Sequence, residues 1–392
     1  MSSPTPRSPE PGGARLRPPS ARLRRAAPAT PYGRGRAGGT PYGRTRALAG
    51  MIAMAGLLAA CGGTGPDAGA RSAASASAAS PTSPTSPASP ASPAVGAASP
   101  SPVPRATAVA HSLSVTGPDG KRITLRDRPR RIVCLTGICD DILVELGLVP
   151  AATTTPKLLT RPDYLGAAGA KVPVVPGSFG NEDVARIAEL EPDLVIGLAG
   201  VHDQLRAAVE RFAPLWVVKV DDHEDSVGYL RAVAALTGRG EAQAVAEDRF
   251  RARLAAARAE ARARGLDRKT VLAMYGGSAV GVNTTDDVLG NFLSGFFRYP
   301  WPGKGGGFET AQAYSLEEIL AKAPDMIFVQ SFAFGPDARK VTDLYRDNPV
   351  WKRVPAVANG KVFEVAPELW ASGRGTRAFG LIIGEAFARA AG

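Results

Sequence analysis

Histidine and cysteine are scarce in this chain, with three of each among 392 residues. Capture of a bare zinc or manganese ion needs several imidazoles, thiolates or carboxylates converging on one point. Here His111, His202 and His223 are far apart in sequence. Cys134 and Cys139 stand five apart, a spacing that fits neither a CxxC redox pair nor a zinc pair. In an oxidising compartment they can form a disulfide; otherwise they are two buried thiols. Catalytic signatures are missing as well. Gly276-Gly-Ser278-Ala-Val280 lacks the closing glycine of a nucleophile elbow. Gly303-Lys-Gly305 lacks the hydroxyl residue and upstream glycine of a phosphate loop, and Gly303-Lys-Gly-Gly-Gly-Phe breaks the dinucleotide pattern. There is no His-Glu-x-x-His. The expectation is a protein that is not an enzyme and has no intrinsic cofactor or metal.

Charge of one sign is lopsided. Residues 1–50 hold ten arginines, no lysine and a single acid, Glu10, so most of the chain's net charge of +11 lies there. The remainder is nearly neutral, which argues against a nucleic-acid partner. Bulky apolar residues are almost absent from 62–104, a Gly, Ala, Ser, Pro and Thr stretch with Ser-Pro-Thr-Ser-Pro repeats. Ordering it would cost backbone entropy with no core in return, so it reads as a tether.

The longest apolar run, Ala47 to Ala60, follows Arg44 and Arg46 and spans about 14 residues, too short for a permanent membrane helix. It ends in Leu58-Ala59-Ala60-Cys61. The stretch resembles a bacterial lipobox. The resemblance implies removal of residues 1–60, lipidation of Cys61 and a protein held at the extracytoplasmic face of the cell membrane.

From about Leu113 onward roughly 280 residues remain, enough for two lobes. Short buried runs alternate with helical patterns, which predicts βαβ units and parallel sheets. Expected strands are Arg131–Leu135, Ala151–Thr155, Val172–Val175, Leu194–Gly197 and Leu215–Val220, then Thr270–Tyr275, Met326–Gln330 and Lys361–Val365. Expected helices include Asp140–Leu146, Asp183–Leu190, Ser315–Lys322, Thr342–Asp347 and Thr376–Ala390. Ile187-Ala-Glu-Leu-Glu-Pro-Asp-Leu-Val-Ile is echoed 132 residues later by Ile319-Leu-Ala-Lys-Ala-Pro-Asp-Met-Ile-Phe. Each is a helix ended by proline, then an aspartate and a buried strand. Between the halves, Glu241–Arg264 is dense in alanine and charge, with Glu247/Arg251 and Glu260/Arg264 at helical spacing. It predicts one helix about 36 Å long, either lying on one lobe or joining both as a strut. The fold expected is α/β: two Rossmann-like lobes with parallel sheets, 113–240 and 265–392, joined by the single long helix 241–264, with a signal region 1–60 and a tether 61–112 before them.

Gly120-Lys-Arg-Ile-Thr-Leu-Arg-Asp-Arg-Pro-Arg-Arg-Ile-Val-Cys-Leu, Asp141-Ile-Leu-Val-Glu-Leu-Gly147, the Ile187–Gly197 block, Tyr314-Ser-Leu-Glu-Glu-Ile-Leu, Pro324-Asp-Met-Ile-Phe-Val and Asn348-Pro-Val-Trp-Lys-Arg-Val-Pro-Ala-Val-Ala-Asn-Gly-Lys-Val-Phe occur in order over 113–392. Together they resemble the ABC-transporter substrate-binding proteins for siderophores, haem and cobalamin. The resemblance implies a ligand held between two lobes, delivery to a membrane ABC permease, and docking through an acidic residue on each lobe. Glu317 matches that position in the second lobe. In the first lobe the matching residue is Ala185, leaving Glu182 or Asp183 to substitute.

Ligands of open α/β sheets sit beyond the carboxyl ends of the strands. That rule selects Thr136, Phe179, His202 and Tyr275. It also selects two loops, Arg298-Tyr-Pro-Trp-Pro-Gly303 and Trp370-Ala-Ser-Gly-Arg374. Although aromatics are only 6% of the chain, Tyr299, Trp301 and Trp370 lie in these loops. There they either supply flat surfaces for a bulky chelate or plug the loops by local packing. Arg374 and Arg377 suit carboxylate or catecholate oxygens. The expected guest is a small-molecule ferric chelate bound by a monomer. Haem or cobalamin in the same fold, with Tyr164 or Tyr275 near haem iron, and an α/β lipoprotein hydrolase are the alternatives.

Overall fold

In a computed structural model of the chain, residues 104–276, 280–304, 314–332 and 339–391 are described below. Cys61, the signal region, most of the tether, Gly277 and Ser278 lie outside them. A short antiparallel hairpin, β1 (Ser114–Thr116) with β2 (Arg122–Thr124), precedes two four-stranded sheets.

The first sheet holds β3 (Ile132–Cys134), β4 (Ala152–Thr153), β5 (Leu194–Leu198) and β6 (Leu215–Val218) in the order β4-β3-β5-β6, all parallel. Its strands are buried on both faces, as the unbroken apolar runs require. The run Val172–Val175 contributes only an isolated bridge between Val174 and Thr153. Pro173 within it and Pro176 just after it cannot donate to a ladder.

The second sheet holds β7 (Val271–Gly276), β8 (Val280–Val282), β9 (Met326–Ser331) and β10 (Val362–Glu364) in the order β10-β9-β7-β8. The expected strands β7, β9 and β10 pair in parallel, and β8, which is not among the expected strands, runs antiparallel to β7 at the sheet edge. Only three residues separate the two strands, too few for the crossover that a parallel pair needs.

The echoed segments build the same device twice. Helices Val184–Glu189 and Leu316–Lys322 precede Pro192 and Pro324, and the residue before each proline, Glu191 or Ala323, is left-handed at φ 44° and 47°. That turn lets the chain stop its helix and enter the sheet. The next residue then clamps the approach to the first strand of its own half. Asp193 accepts from the backbone N–H of Arg131 at 3.0 Å, and Asp325 accepts from that of Thr270 at 2.8 Å.

The long helix spans Gly240–Ala263. Its buried stripe, Gln243, Ala246, Glu247, Phe250, Leu254, Ala257 and Ala261, recurs every three or four residues. It packs on helix His223–Thr237 from the first half and on helix Thr376–Ala391 at the chain end. The Glu247–Arg251 and Glu260–Arg264 pairs form at 2.8 and 2.5 Å.

The described residues fall in one compact unit, 93–392. The sheets are separate, but one hydrophobic cluster continues from Ile132 through Phe250 to Phe387. A smaller cluster of Val133, Val195, Val209 and Leu215 fills another part of the first half. The bridge between halves is the C-terminal helix, which packs against helices Gly137–Glu145 and His223–Thr237.

Candidate ligand-binding site

The carboxyl end of β3 runs into Thr136, which starts helix Gly137–Glu145 without capping it through its side chain. A disulfide between Cys134 and Cys139, both fully buried, braces this turn. The loop Trp370–Arg374 lies directly on it. A Cβ at Gly137 would sit 2.3 Å from the Ser372 carbonyl, and one at Gly375 would sit 2.0 Å from Asp141 Oδ1. Two glycines, one from each half, therefore make the seam possible.

Asp141 holds the seam from the first half. Its carboxylate accepts from Arg377 N (3.1 Å), Ala378 N (2.8 Å) and Tyr164 Oη (2.6 Å), so it caps the C-terminal helix from outside. Burial, and then the charge of Glu145, push its carboxyl up to about 7. Asp140 is also fully buried. It takes hydroxyl hydrogen bonds from Thr153 (2.7 Å) and Thr155, while its Oδ1 has no partner, and burial pushes it up to about 8. Arg377 is committed to the same seam. It donates to the Asp163 carbonyl at 2.9 Å, lies 3.4 Å from Glu145 and covers the Tyr164 ring at 5.7 Å.

Arg374 behaves differently. Its carbonyl accepts from Ser226 Oγ at 2.6 Å, tying the loop to helix His223–Thr237. Its guanidinium has no carboxylate within ion-pair distance among the described residues and makes only a long bond to Ala371 O at 3.4 Å. Burial pushes its pKa below the ordinary value, and the charge of Asp287 opposes that shift. Asp287 is itself saturated by the backbone N–H groups of Thr284, Leu289 and Gly290. Arg374 is a partly desolvated cation with little to bind among the described residues.

Phe179 is 58% exposed and left-handed at φ 52°, an uncommon state for an aromatic residue. Hydrogen bonds hold the next residue in place. Gly180 N donates to Glu182 Oε1 (3.2 Å), and Gly180 O accepts from Gln204 Nε2 (2.9 Å). His202 completes the brace. Its Nδ1 accepts from Leu198 N at 2.7 Å, so the ring proton lies on Nε2, which donates to Glu182 Oε1 at 3.2 Å.

Several sequence expectations change here. His202 is 3% exposed and Glu182 5%. His202 positions the Phe179 loop rather than lining a rim, and buried Glu182 cannot meet a permease. The signal for this role is Gly197, where a Cβ would come within 2.8 Å of His202 Cβ. Trp301 and Trp370 are plugs. Trp301 is fully buried and donates to Val271 O at 2.7 Å. Trp370 donates to Glu385 Oε2 at 2.8 Å and lies 4.8 Å from the Phe328 ring. Tyr299 is likewise buried, donating to Asn283 O at 2.8 Å. Irregular loops carry few backbone bonds, and a large ring driven into the core fixes each one. Tyr275 is half-buried near the end of β7, its ring over Gly281 of β8. Glu317 is exposed in the first turn of its helix. Ser226 and Arg374 thus meet at the seam, buried Thr136 begins the helix that packs on the same loop, and Phe179 stands at the carboxyl edge of the first sheet.

The sequence profile of the periplasmic binding protein family matches residues 132–369. Among curated proteins, the putative ABC transporter substrate-binding lipoprotein YhfQ of Bacillus subtilis is 25% identical over 303 residues, covering 70% of this chain and 87% of that protein. The Fe(3+)-citrate-binding protein YfmC of the same organism is 22% identical over 270 residues, covering 65% and 79%. Among solved structures, the petrobactin-binding protein YclQ of Bacillus subtilis is similar in fold, with a TM-score of 0.56 at 21% identity over 70% of this chain and 97% of that one.

Proposed function

This chain belongs to the periplasmic binding protein family, and from that premise we propose that it is the lipid-anchored, extracytoplasmic solute-binding component of an ABC importer, carrying a ferric chelate with anionic oxygen donors. The observation that carries the reading is Arg374, a half-buried guanidinium at the seam with no carboxylate partner among the described residues. Keeping such a cation away from water has a cost that an anionic guest would offset. Phe179 and Tyr275 would offer ring faces, and Thr136 at the end of β3 would line the base of the site. The relatives named for Fe(3+)-citrate and petrobactin support a ferric chelate as the guest.

The domain division 113–240, 241–264 and 265–392 enters this reading as two sheet-bearing halves around one guest. Permease docking would use exposed Glu317 on the second half. On the first half it would use Asp183, which is exposed although it caps its helix by accepting from Arg186 N at 3.0 Å. Cys61 would carry the acyl chains.

Calorimetric titration of the full chain with ferric citrate, a ferric catecholate and a ferric hydroxamate tests the proposal. The expected result is tight 1:1 binding of at least one anionic chelate. Arg374→Ala should weaken it about 100-fold, the loss of one or two charge-assisted hydrogen bonds, and Arg374→Lys should restore part of it. Failure of all three chelates to bind would refute the substrate class.

A further inference from the structure

The chain has a second concavity at the amino-terminal edge of the first sheet, opposite the carboxyl edge that bears Thr136 and Phe179. It is a cavity of about 340 Å³, rimmed by Arg128, Arg130 and Arg239 over apolar Leu143, Leu148 and Val149. No acidic residue lines it. The three guanidinium groups are exposed, and none has a carboxylate within ion-pair distance among the described residues. The nearby acids are engaged elsewhere: Asp193 takes the backbone N–H groups of Arg130 and Arg131, and Glu191 pairs with the Arg131 side chain. Arg128 spends one N–H on the Gly238 carbonyl at 3.4 Å. Helices Gly137–Glu145 and His223–Thr237 both finish near this rim with their carbonyl ends, which oppose an anion, whereas helix Gly240–Ala263 begins there with Arg239 as its N-cap, so attraction for an anion comes chiefly from the arginines. The lip is apolar, with Val149 59% exposed.

A second observation says what lies near. The amino-terminal segment enters the fold beside this rim. Ser112 N donates to Ala235 O at 3.1 Å, Val109 N donates to Gln243 Oε1 at 3.1 Å, and the Val109 carbonyl sits so close to Gly240 that a Cβ there would be 2.0 Å away. Gly240 directly follows Arg239.

We propose that this cavity receives the head group of an anionic phospholipid. The phosphate would sit among the three guanidinium groups, and the first methylenes of the acyl chains would lie on Leu148 and Val149. The lipid's nearness rests on the anchoring of Cys61 proposed above. Engaged this way, the chain turns the carboxyl edges of its first sheet away from the bilayer, an orientation for capture that delivery would have to release.

The test is a titration of the full chain in solution with dihexanoyl-phosphatidylglycerol below its micelle concentration. Saturable 1:1 binding is expected. Arg128→Ala/Arg130→Ala/Arg239→Ala should weaken it about tenfold or more, and Val149→Asn, polar but uncharged, should weaken the lipid but not inorganic phosphate. The three arginines are exposed, so the variant should fold, which circular dichroism verifies. Equal binding of dihexanoyl-phosphatidylcholine, no saturable binding, or unchanged binding in the triple variant would overturn the proposal. Inorganic phosphate binding as tightly as the lipid would overturn the lipid as its source. The titration reads the cavity whether or not Cys61 is acylated, whereas membrane retention of Cys61→Ala reads the anchor alone.

Discussion

Stability should fall as pH rises from 5 to 8, opposite to the usual behaviour of carboxylate-rich proteins, because helix Gly137–Glu145 buries two acids, Asp140 and Asp141, and burial favours their protonated forms. Asp140 and Asp141 are pushed up to about 8 and about 7, chiefly by burial, from 3.8. Between 3.8 and 7 the folded chain holds two protons that the unfolded chain releases. The contribution is therefore full below the unfolded value and is lost as pH climbs through the folded values. Each such proton changes stability by ~1.4 kcal/mol per pH unit, so the pair gives about 3. From pH 5 to 7 the loss is about 5 kcal/mol, a large fraction of a typical folding free energy. The groups facing the pair do not cancel this. Glu145 adds negative charge beside Asp141 and is shared between Arg249 and Arg377, while Tyr164 and the threonines are neutral donors. At the acid end Glu224 acts the other way. Its hydrogen bonds to Arg251 hold it below the usual range, so its contribution is present above the ordinary carboxylate value and is lost as pH falls through the lowered one. Urea unfolding at pH 5, 6, 7 and 8 measures the slope. Asp140→Asn is the cleaner variant, since only threonine hydroxyls, which can rotate, face that side chain. It should roughly halve the slope. Stability that stays level or rises from pH 5 to 8, or a slope unchanged in Asp140→Asn, would refute the argument.

Three further outcomes are expected. His202→Ala should weaken ferric-chelate binding about tenfold, through loss of the buried hydrogen bond that positions Glu182; Phe179→Ala should do the same, and the double variant should be no worse than either, as a binding titration would show. Glu317→Arg should block chelate uptake in reconstituted vesicles carrying the permease while leaving chelate affinity unchanged. Cys61→Ala should move the chain from the membrane to the soluble fraction on cell fractionation.

What the sequence revealed, and what it hid, has a physical pattern. Parallel strands buried on both faces read as plain apolar runs, so β3, β5, β6, β7 and β9 were legible within a residue or two. Helix His223–Thr237 was not, because ten of its fifteen residues are buried and no amphipathic stripe marks it. Its signals sit at its ends, in the Asp222–Asp225 capping box and left-handed Gly238. Trp301 and Trp370 left two readings open, ring surface or plug, because loop context does not tell which way a large ring turns; the fold shows both buried. Arg374 and Arg377 look alike in sequence. Only the fold shows Arg377 engaged by the Asp163 carbonyl and the Glu145 carboxylate, while Arg374 has no acid within ion-pair distance among the described residues.

The continuity of the core bears on how such a protein can open. A wide hinge would have to withdraw the C-terminal helix from helix Gly137–Glu145, stripping Asp141 of both backbone donors. It would also expose apolar surface shared between halves, at roughly 25 cal/mol for every square ångström. The long helix resists too, since it packs on helices from both halves at once. The loop Trp370–Arg374 meets the first half through the Gly137–Ser372 and Gly375–Asp141 contacts, where absent side chains leave backbone against backbone or carboxylate. A guest bound to Arg374 would pull on that same loop. Its presence would then reach a permease as a small change in the spacing of exposed acids such as Glu317 and Asp183, not as closure of a wide mouth.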